Sequence, residues 1–300
     1  MARYSAIDAG TNSTKITIAE VGSDGELVTV ASDYESTRLG MAMAGGVISA
    51  AAISQTVAAL CRFVALAGQY QVAGIRAVAT EFARKANNIG ELQAAVRHTC
   101  GLELEVISGN EEARLVYLAV IRDFAASRMP LLVFNIGGGS TEVIYGRTEP
   151  EERVSVPIGA SSVARRFPNV TGQSSKAELQ QISSYIAKTI HEQVSFLVNG
   201  RTATLVGSGG TMTNLGAVDN AHSWGDASKV HLYPLPINRL RAAIERLAAL
   251  DEQQRKKVPG LSPDRAGIIV SGGLIGLAIA EAIAASQLVV SLRNLRDGII

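Results

Sequence analysis

The run Asn135-Ile136-Gly137-Gly138-Gly139-Ser140-Thr141 leaves an apolar stretch, and Asp8-Ala9-Gly10-Thr11-Asn12-Ser13-Thr14 stands 127 residues before it in the same register. Glycine lacks a Cβ, adopts positive φ readily and lets main-chain amides come close to a ligand. Consecutive amides aimed into one turn hold an anion. Asn12, Ser13, Ser140 and Thr141 would add short neutral donors for phosphate oxygens. Aligned on their glycines, the runs match Asp8 to Asn135, Ser13 to Ser140, Thr14 to Thr141 and Lys15 to Glu142. A third run, Gly207-Ser208-Gly209-Gly210-Thr211, follows the short strand expected at Thr204 to Val206. Two ordinary glycine hairpins are the bland alternative. Their pairing instead suggests two halves built alike, with a phosphate chain held by main-chain donors.

The carboxylates suggest what is done to that chain. Asp8, where a strand meets the first turn, suits an oxygen ligand for Mg2+, directly or through water, or else a cap on the turn. Glu142 holds the matching edge of the second turn, as a site residue or a solvated strand residue. Glu111 and Glu112 open an expected helix, where the macrodipole alone accounts for acids. A hydrolase needs a base to deprotonate water, however, and one of this pair is the leading candidate once other chemistries are set aside. Arg84 follows a strand and is either a phosphate-binding fork or a solvated loop cation.

Those other chemistries fall to missing patterns. The chain has no Gly-x-x-x-x-Gly-Lys-Ser/Thr run, Ser140 and Ser208 miss the Gly-x-Ser-x-Gly elbow, and His98, His191, His222 and His231 lack metalloprotease spacing. Cys61 and Cys100 lie far apart and read as buried thiols.

Three hundred residues, 47% hydrophobic and 18% charged, match a well-packed globular chain, and a repeat offset near the middle favours two domains, taken as 1–127 and 128–300. A net charge of +1 creates no global field toward nucleic acid or membrane. Met1 to Tyr4 runs into a strand without a secretory apolar region, so a cytoplasmic location is expected. The apolar stretch Ala266 to Ala285 is too broken by glycine, serine and Glu281 to read as a membrane span.

These residues must be carried by alternating hairpins and helices. Strands are expected at Tyr4–Ile7, Lys15–Val21 and Leu27–Ser32, with a turn at Gly22–Gly25; Ser49 or Ser54 would cap a helix running to Gly68. Strands Ile75–Ala79 and Leu104–Ile107 flank a helix after Asn88, and Asn110 would cap a helix Glu111–Phe124. The second half repeats the plan with strands Leu131–Asn135, Glu142–Tyr145 and Arg153–Pro157. Helices would follow at about Ser175–Leu197, Asn238–Leu250 and Pro263–Ala285, with a late strand Leu288–Leu292. The fold class is α/β.

With these residues assembled, the chain resembles the exopolyphosphatase and guanosine pentaphosphate phosphatase family, within the actin-like superfamily. The resemblance rests on the two glycine turns, Arg38-Leu39-Gly40, the Arg84 segment, Ile107-Ser108-Gly109-Asn110-Glu111-Glu112-Ala113-Arg114-Leu115, Gly207 to Thr211, and Pro259 to Ala266. It implies two ribonuclease-H-like lobes with an interlobe cleft. It implies release of inorganic phosphate from the end of polyphosphate, with Glu112 as base, Glu142 supporting it or helping to hold metal, and Asp8 organising Mg2+. The residues Asn12, Ser13, Gly137, Gly138, Gly139, Ser140, Thr141, Gly207, Ser208, Gly209, Gly210 and Thr211 would hold phosphates, and Arg84 would neutralise the chain end. Hydrolysis of guanosine pentaphosphate, binding without turnover, and phosphotransfer to ADP are the implied alternatives, and a homodimer is common among relatives. Two departures stand out: Asn135 replaces the family's usual aspartate, which should weaken Mg2+ binding at a metal site of Asp8, Asn135 and Glu142, and Gly267 stands where aspartate is frequent. The extra C-terminal domains of longer relatives are missing, which implies a preference for short polyphosphate.

Overall fold

The computed structural model describes residues 1–23, 25–40, 42–125, 127, 129–197, 202–221 and 227–300. Two compact units result: Met1–Val116 together with Leu295–Ile300, and Tyr117–Asn294.

Unit 1 is built on strands β1 (Ala2–Ala9), β2 (Thr14–Val21) and β3 (Leu27–Glu35), a short ribbon β4 (Met43–Ala44) and β5 (Val47–Ile48), and helix α1 (Ala50–Gln69). Then follow β6 (Gly74–Ala79), α2 (Glu81–Lys85), α3 (Ile89–Cys100), β7 (Leu104–Val106) and α4 (Gly109–Ile121), within which the division between the units falls. The main sheet runs β3-β2-β1-β6-β7, with β1 antiparallel to β2 and parallel to β6. Ser49, not Ser54, caps α1: its hydroxyl accepts from the Ala52 amide. Val57, Leu60, Phe63 and Ala67 recur at helical spacing and are buried with Ile7, Ile16 and Ile18. Each such large apolar side chain contributes about 1.5–3 kcal/mol on leaving water. By length and composition α1 is apolar enough to cross a bilayer, and here that apolar face lies in the core.

Unit 2 repeats the plan with β8 (Leu131–Ile136), β9 (Thr141–Gly146), β10 (Pro150–Val156), α5 (Ala160–Arg166), α6 (Lys176–Gln193), β11 (Thr204–Ser208) and α7 (Gly209–Asp219). Helix α8 (Ala227–Val230), β12 (Tyr233–Pro236), α9 (Ile237–Ala248), α10 (Glu252–Arg255), α11 (Ile269–Ala282) and β13 (Gln287–Val290) complete it, and α12 (Leu295–Ile299) belongs to unit 1. The sheet order β10-β9-β8-β11-β13-β12 reproduces that of unit 1 and adds one antiparallel edge strand. Registers agree too: Asp8 pairs with Lys15 across β1–β2, and Asn135 with Glu142 across β8–β9. Both units therefore follow the ribonuclease-H-like plan. Helix α11 is buried nearly all round, and its glycines let neighbours close in: a Cβ on Gly272 would lie 2.7 Å from Thr211, and one on Gly276 2.9 Å from the Met212 sulfur.

Several expected boundaries move. Ser108, not Asn110, caps α4, its hydroxyl accepting from the Glu111 amide at 3.1 Å. This helix stops at Ile121 and continues as a 3-10 turn, Arg122–Phe124. The helix expected over Pro263–Ala285 is broken into a 3-10 turn, Pro263–Arg265, and α11. The third glycine run is no separate turn: β11 continues through Ser208 and α7 begins at Gly209. The turn expected at Gly22–Gly25 includes Asp24, which lies outside the described residues, as does His222, while Val21 and Leu27 pair across it.

Candidate functional site

In unit 1 the first glycine run closes as a tight turn, the Gly10 amide donating to Ser13 O at 3.1 Å. Asp8 closes β1 just before this turn. Its Oδ1 is buried and accepts no hydrogen bond among the described residues, and burial pushes its carboxyl up against the opposing pull of Arg296 and Lys15. A shielded, unpartnered carboxylate oxygen is the kind of group a hard cation satisfies. Among the described residues no cluster of three His, Cys, Asp or Glu side chains exists to hold a metal. Mg2+ does not require one, because it retains waters and is held by one or two carboxylates plus substrate phosphates. The donor at Asp8 therefore fits that ion.

The paired glutamates are separated by their surroundings. Glu111 accepts from Arg114 Nε and Nη2 at 2.8 and 2.9 Å, and lies 3.9 Å from Arg76. Glu112 is only 6% exposed and accepts from Arg84 Nη1 at 3.0 Å. That arginine sits on α2 and not in a loop, and the same Nη1 donates to Ile107 O at 3.0 Å. Arg84 thus fixes the direction of the Glu112 carboxylate. Two elements far apart in sequence meet there because β6 and β7 are parallel neighbours, each delivering a helix start at the same sheet end.

Unit 2 holds a matching turn, the Gly137 amide donating to Ser140 O at 2.9 Å. Gly137 O accepts from Ala160 N and Gly138 O from Ser161 and Ser162 N, so the carbonyls of this turn face the first turn of α5. The amides of Gly138 and Gly139 donate to no protein acceptor among the described residues. Gly159 permits the approach, since a Cβ there would lie 2.6 Å from the Gly138 backbone. None of Gly10, Gly137, Gly138 or Gly139 has positive φ, so their lack of a side chain acts through close approach; Gly209, at φ +85, is the site glycine that uses the left-handed region.

The hydroxyls expected to meet phosphate are instead spent inside the protein. Ser140 Oγ donates to Glu142 Oε1 at 2.8 Å, Thr141 Oγ1 to Ile158 O at 2.7 Å, and Ser208 Oγ to Arg293 O at 2.5 Å. Glu142 is fully buried and also accepts from Ser155 Oγ at 2.9 Å and Asn135 Nδ2 at 3.1 Å. Both its oxygens are therefore already satisfied by neutral donors, unlike Asp8. Asn135 Oδ1 packs against Gly209, where a Cβ would lie 2.7 Å away, which brings the second turn and the start of α7 together. Gly207 acts through packing, with a Cβ there 2.9 Å from both Met212 and Phe134. Thr211 is 1% exposed, beneath α11.

Arg265 lies in the Pro259 to Ala266 segment, whose sequence by itself gives this side chain no role. Its guanidinium lies on Gly210, where any Cβ would collide with it, and burial pulls its pKa down against the opposing charge of Asp264. The start of α7 thus sets a guanidinium beside helix-terminal amides. The signal available beforehand was adjacency to a proline-initiated turn, which says nothing of direction.

The Ppx/GppA phosphatase family model matches residues 17–300. An "Exopolyphosphatase 2" of Mycobacterium tuberculosis is 30% identical, with 100% of this chain and 98% of that protein covered. An "Exopolyphosphatase 1" of Mycobacterium bovis is 29% identical over 99% of this chain and 87% of its own length. The crystal structure of the Aquifex aeolicus member of the Ppx/GppA family superposes with a TM-score of 0.86 at 28% identity, covering 99% of this chain and 96% of that one.

Proposed function

Because the chain belongs to the Ppx/GppA phosphatase family, we propose that it is an exopolyphosphatase that releases the terminal inorganic phosphate of linear polyphosphate. The observation that carries this reading is Glu112, a buried carboxylate held in one direction by Arg84 at 3.0 Å. Glu112 takes a proton from water as the water oxygen bonds to the terminal phosphorus. The bridging P–O bond then breaks, leaving orthophosphate and a chain one unit shorter. Arg84 keeps the base aimed. The remaining nitrogens of its fork make no bond among the described residues and are available to a phosphate oxygen.

Main-chain amides of the Gly10–Ser13 and Gly137–Ser140 turns, with Asn12, Ser13 and the start of α7 beside Arg265, hold phosphate oxygens. Ser140, Thr141 and Ser208 hold the loops in shape. Asp8 would hold Mg2+, which when bound offsets the negative charge of the phosphate chain. In unit 2, Asn135 and Glu142 are bonded to each other and are the further candidates to support the ion. A cytoplasmic homodimer belongs to the same proposal.

Phosphate release from short and long polyphosphate, guanosine pentaphosphate and ATP, with and without Mg2+, tests the reading. Turnover on polyphosphate should exceed that on both nucleotides, and Glu112→Gln should cut it by at least about 100-fold, the scale of one general base, while polyphosphate still binds. Parental turnover in that variant would remove Glu112 from the reaction. Preference for guanosine pentaphosphate would overturn the substrate. A second reading, a polyphosphate sensor without turnover, is favoured by the neutral Asn135 and predicts binding with no phosphate release by the parent.

A further inference from the structure

Arg38 is one of five described non-glycine residues at positive φ, with φ +46. For a side chain with a Cβ this conformation costs about 1–2 kcal/mol relative to the right-handed region. Surrounding bonds hold it there: its amide donates to Asn12 O at 2.8 Å, and Gly40 N donates to Thr11 O at 2.8 Å. Thr37, buried, shares a hydroxyl bond with Thr14 at 3.1 Å, and Leu39 is fully buried. The Arg38-Leu39-Gly40 segment is thus stitched by its backbone to two successive carbonyls of the first glycine turn, while Arg38 itself is exposed.

The local acids are already engaged. Asp33 and Glu35, at the end of β3, both pair with Arg62, at 3.1 and 3.0 Å. Arg38 forms no ion pair among the described residues. An uncompensated guanidinium is therefore presented from a backbone bonded directly to Asn12, at the turn already assigned to phosphate.

We propose that Arg38 is an anion-binding residue of the first turn, contacting a phosphate unit of the substrate beyond those held by main-chain amides. This rests on the polyphosphate reading above. A planar fork suits phosphate oxygens, and at an exposed position its contribution depends on salt. The strained backbone sets the origin of that fork beside Asn12 whether or not ligand is present, so little reorganisation is needed on binding.

The test separates charge from conformation. Arg38→Asn removes the guanidinium and tolerates the left-handed region, whereas Arg38→Lys keeps a cation at equal strain. Binding of inorganic tripolyphosphate is measured calorimetrically with EDTA present, at low and high salt, beside thermal melting. Arg38→Asn should bind about five- to tenfold more weakly at low salt, with a flatter salt dependence and a melting temperature at or above the parent's; Arg38→Lys should retain most of the affinity. Parental affinity in Arg38→Asn overturns the inference, as does an equal loss in both variants accompanied by a lower melting temperature. A parent that binds no tripolyphosphate overturns both this inference and the function it rests on. A parent that binds and hydrolyses, matched in affinity by Arg38→Asn, overturns only the role of Arg38.

Discussion

Glu142 would be an expensive charge to bury, yet it lies at zero exposure with Ser140, Ser155 and Asn135 donating to it. The amide of Asn135 is the informative partner. An aspartate there would set a carboxyl oxygen where Nδ2 now donates at 3.1 Å, so two carboxylates would need a proton or a cation between them. Asn135→Asp should therefore lower thermal stability without Mg2+ by about 1–3 kcal/mol and recover it when Mg2+ is added, while the parent responds less. Melting curves with EDTA and with Mg2+ check this, and equal Mg2+ responses in the two proteins would place position 135 outside reach of the ion. The family resemblance pointed to Glu112, whereas residue chemistry marked Asn135, Glu142 and the Glu111–Glu112 pair without choosing within it. That choice depended on which face of α4 meets Arg84, a long-range fact with no local signature.

At the scale of elements, the loops are held by groups that periodicity does not reveal. The 3-10 turn after α4 carries Asp123, which accepts from Arg293 at 2.9 and 3.0 Å and lies 3.3 Å from His231 Nε2. Arg293 O in turn receives the Ser208 hydroxyl. Burial works against ionising Asp123, but bonds from His231 and Arg293 outweigh it and hold its pKa at about 2, below the ordinary 3.8. Its stabilising contribution is therefore complete above pH 3.8 and is lost as pH falls through about 2. Denaturant unfolding of parent and Asp123→Asn should differ by about 2 kcal/mol at mildly acidic to neutral pH and converge on acidification. A gap that stays constant down to that acid limit would contradict the pairing. Helix α7 shows the complementary difficulty. Its Gly209-Gly210-Thr211 start has poor helix propensity and reads as a turn, yet the segment is helical because Met212, Leu215 and Val218 are buried beneath α11. Arg255 is a second concealed device, a fully buried guanidinium donating to the carbonyls of Leu247, Val170, Thr171, Ala266 and Gly172 and so tying α10 to the segment before α11.

For the molecule as a whole, the chain ends where it began. Leu295–Ile300 belongs to unit 1, Arg296 Nε donates to Thr17 Oγ1 at 2.7 Å, and Gly298 lies so close to Leu115 that a Cβ would strike that residue's carbonyl. Gly298→Val should destabilise unit 1 by about 1–3 kcal/mol or more, because neither backbone can yield. Limited proteolysis should then cut within Met1–Val116 before Tyr117–Asn294; unchanged cleavage order would show that α12 is dispensable to unit 1.

Much of the plan was legible along the chain because its signals are local. Apolar alternation marked β1, β2, β8 and β9, Ser49 and Ser175 announced helices, and the glycine runs exposed the internal repeat that the strand registers reproduce. Tertiary structure alone decided which donors remain open. Side-chain type assigned Ser140 and Thr141 to a ligand and the family resemblance added Ser208, but their hydroxyls are consumed by Glu142, Ile158 and Arg293, and among the described residues the amides of Gly138 and Gly139 are what stay unpaired in the second turn. A residue's chemistry is encoded in its name; whether that chemistry is still available depends on partners brought to it from distant parts of the chain.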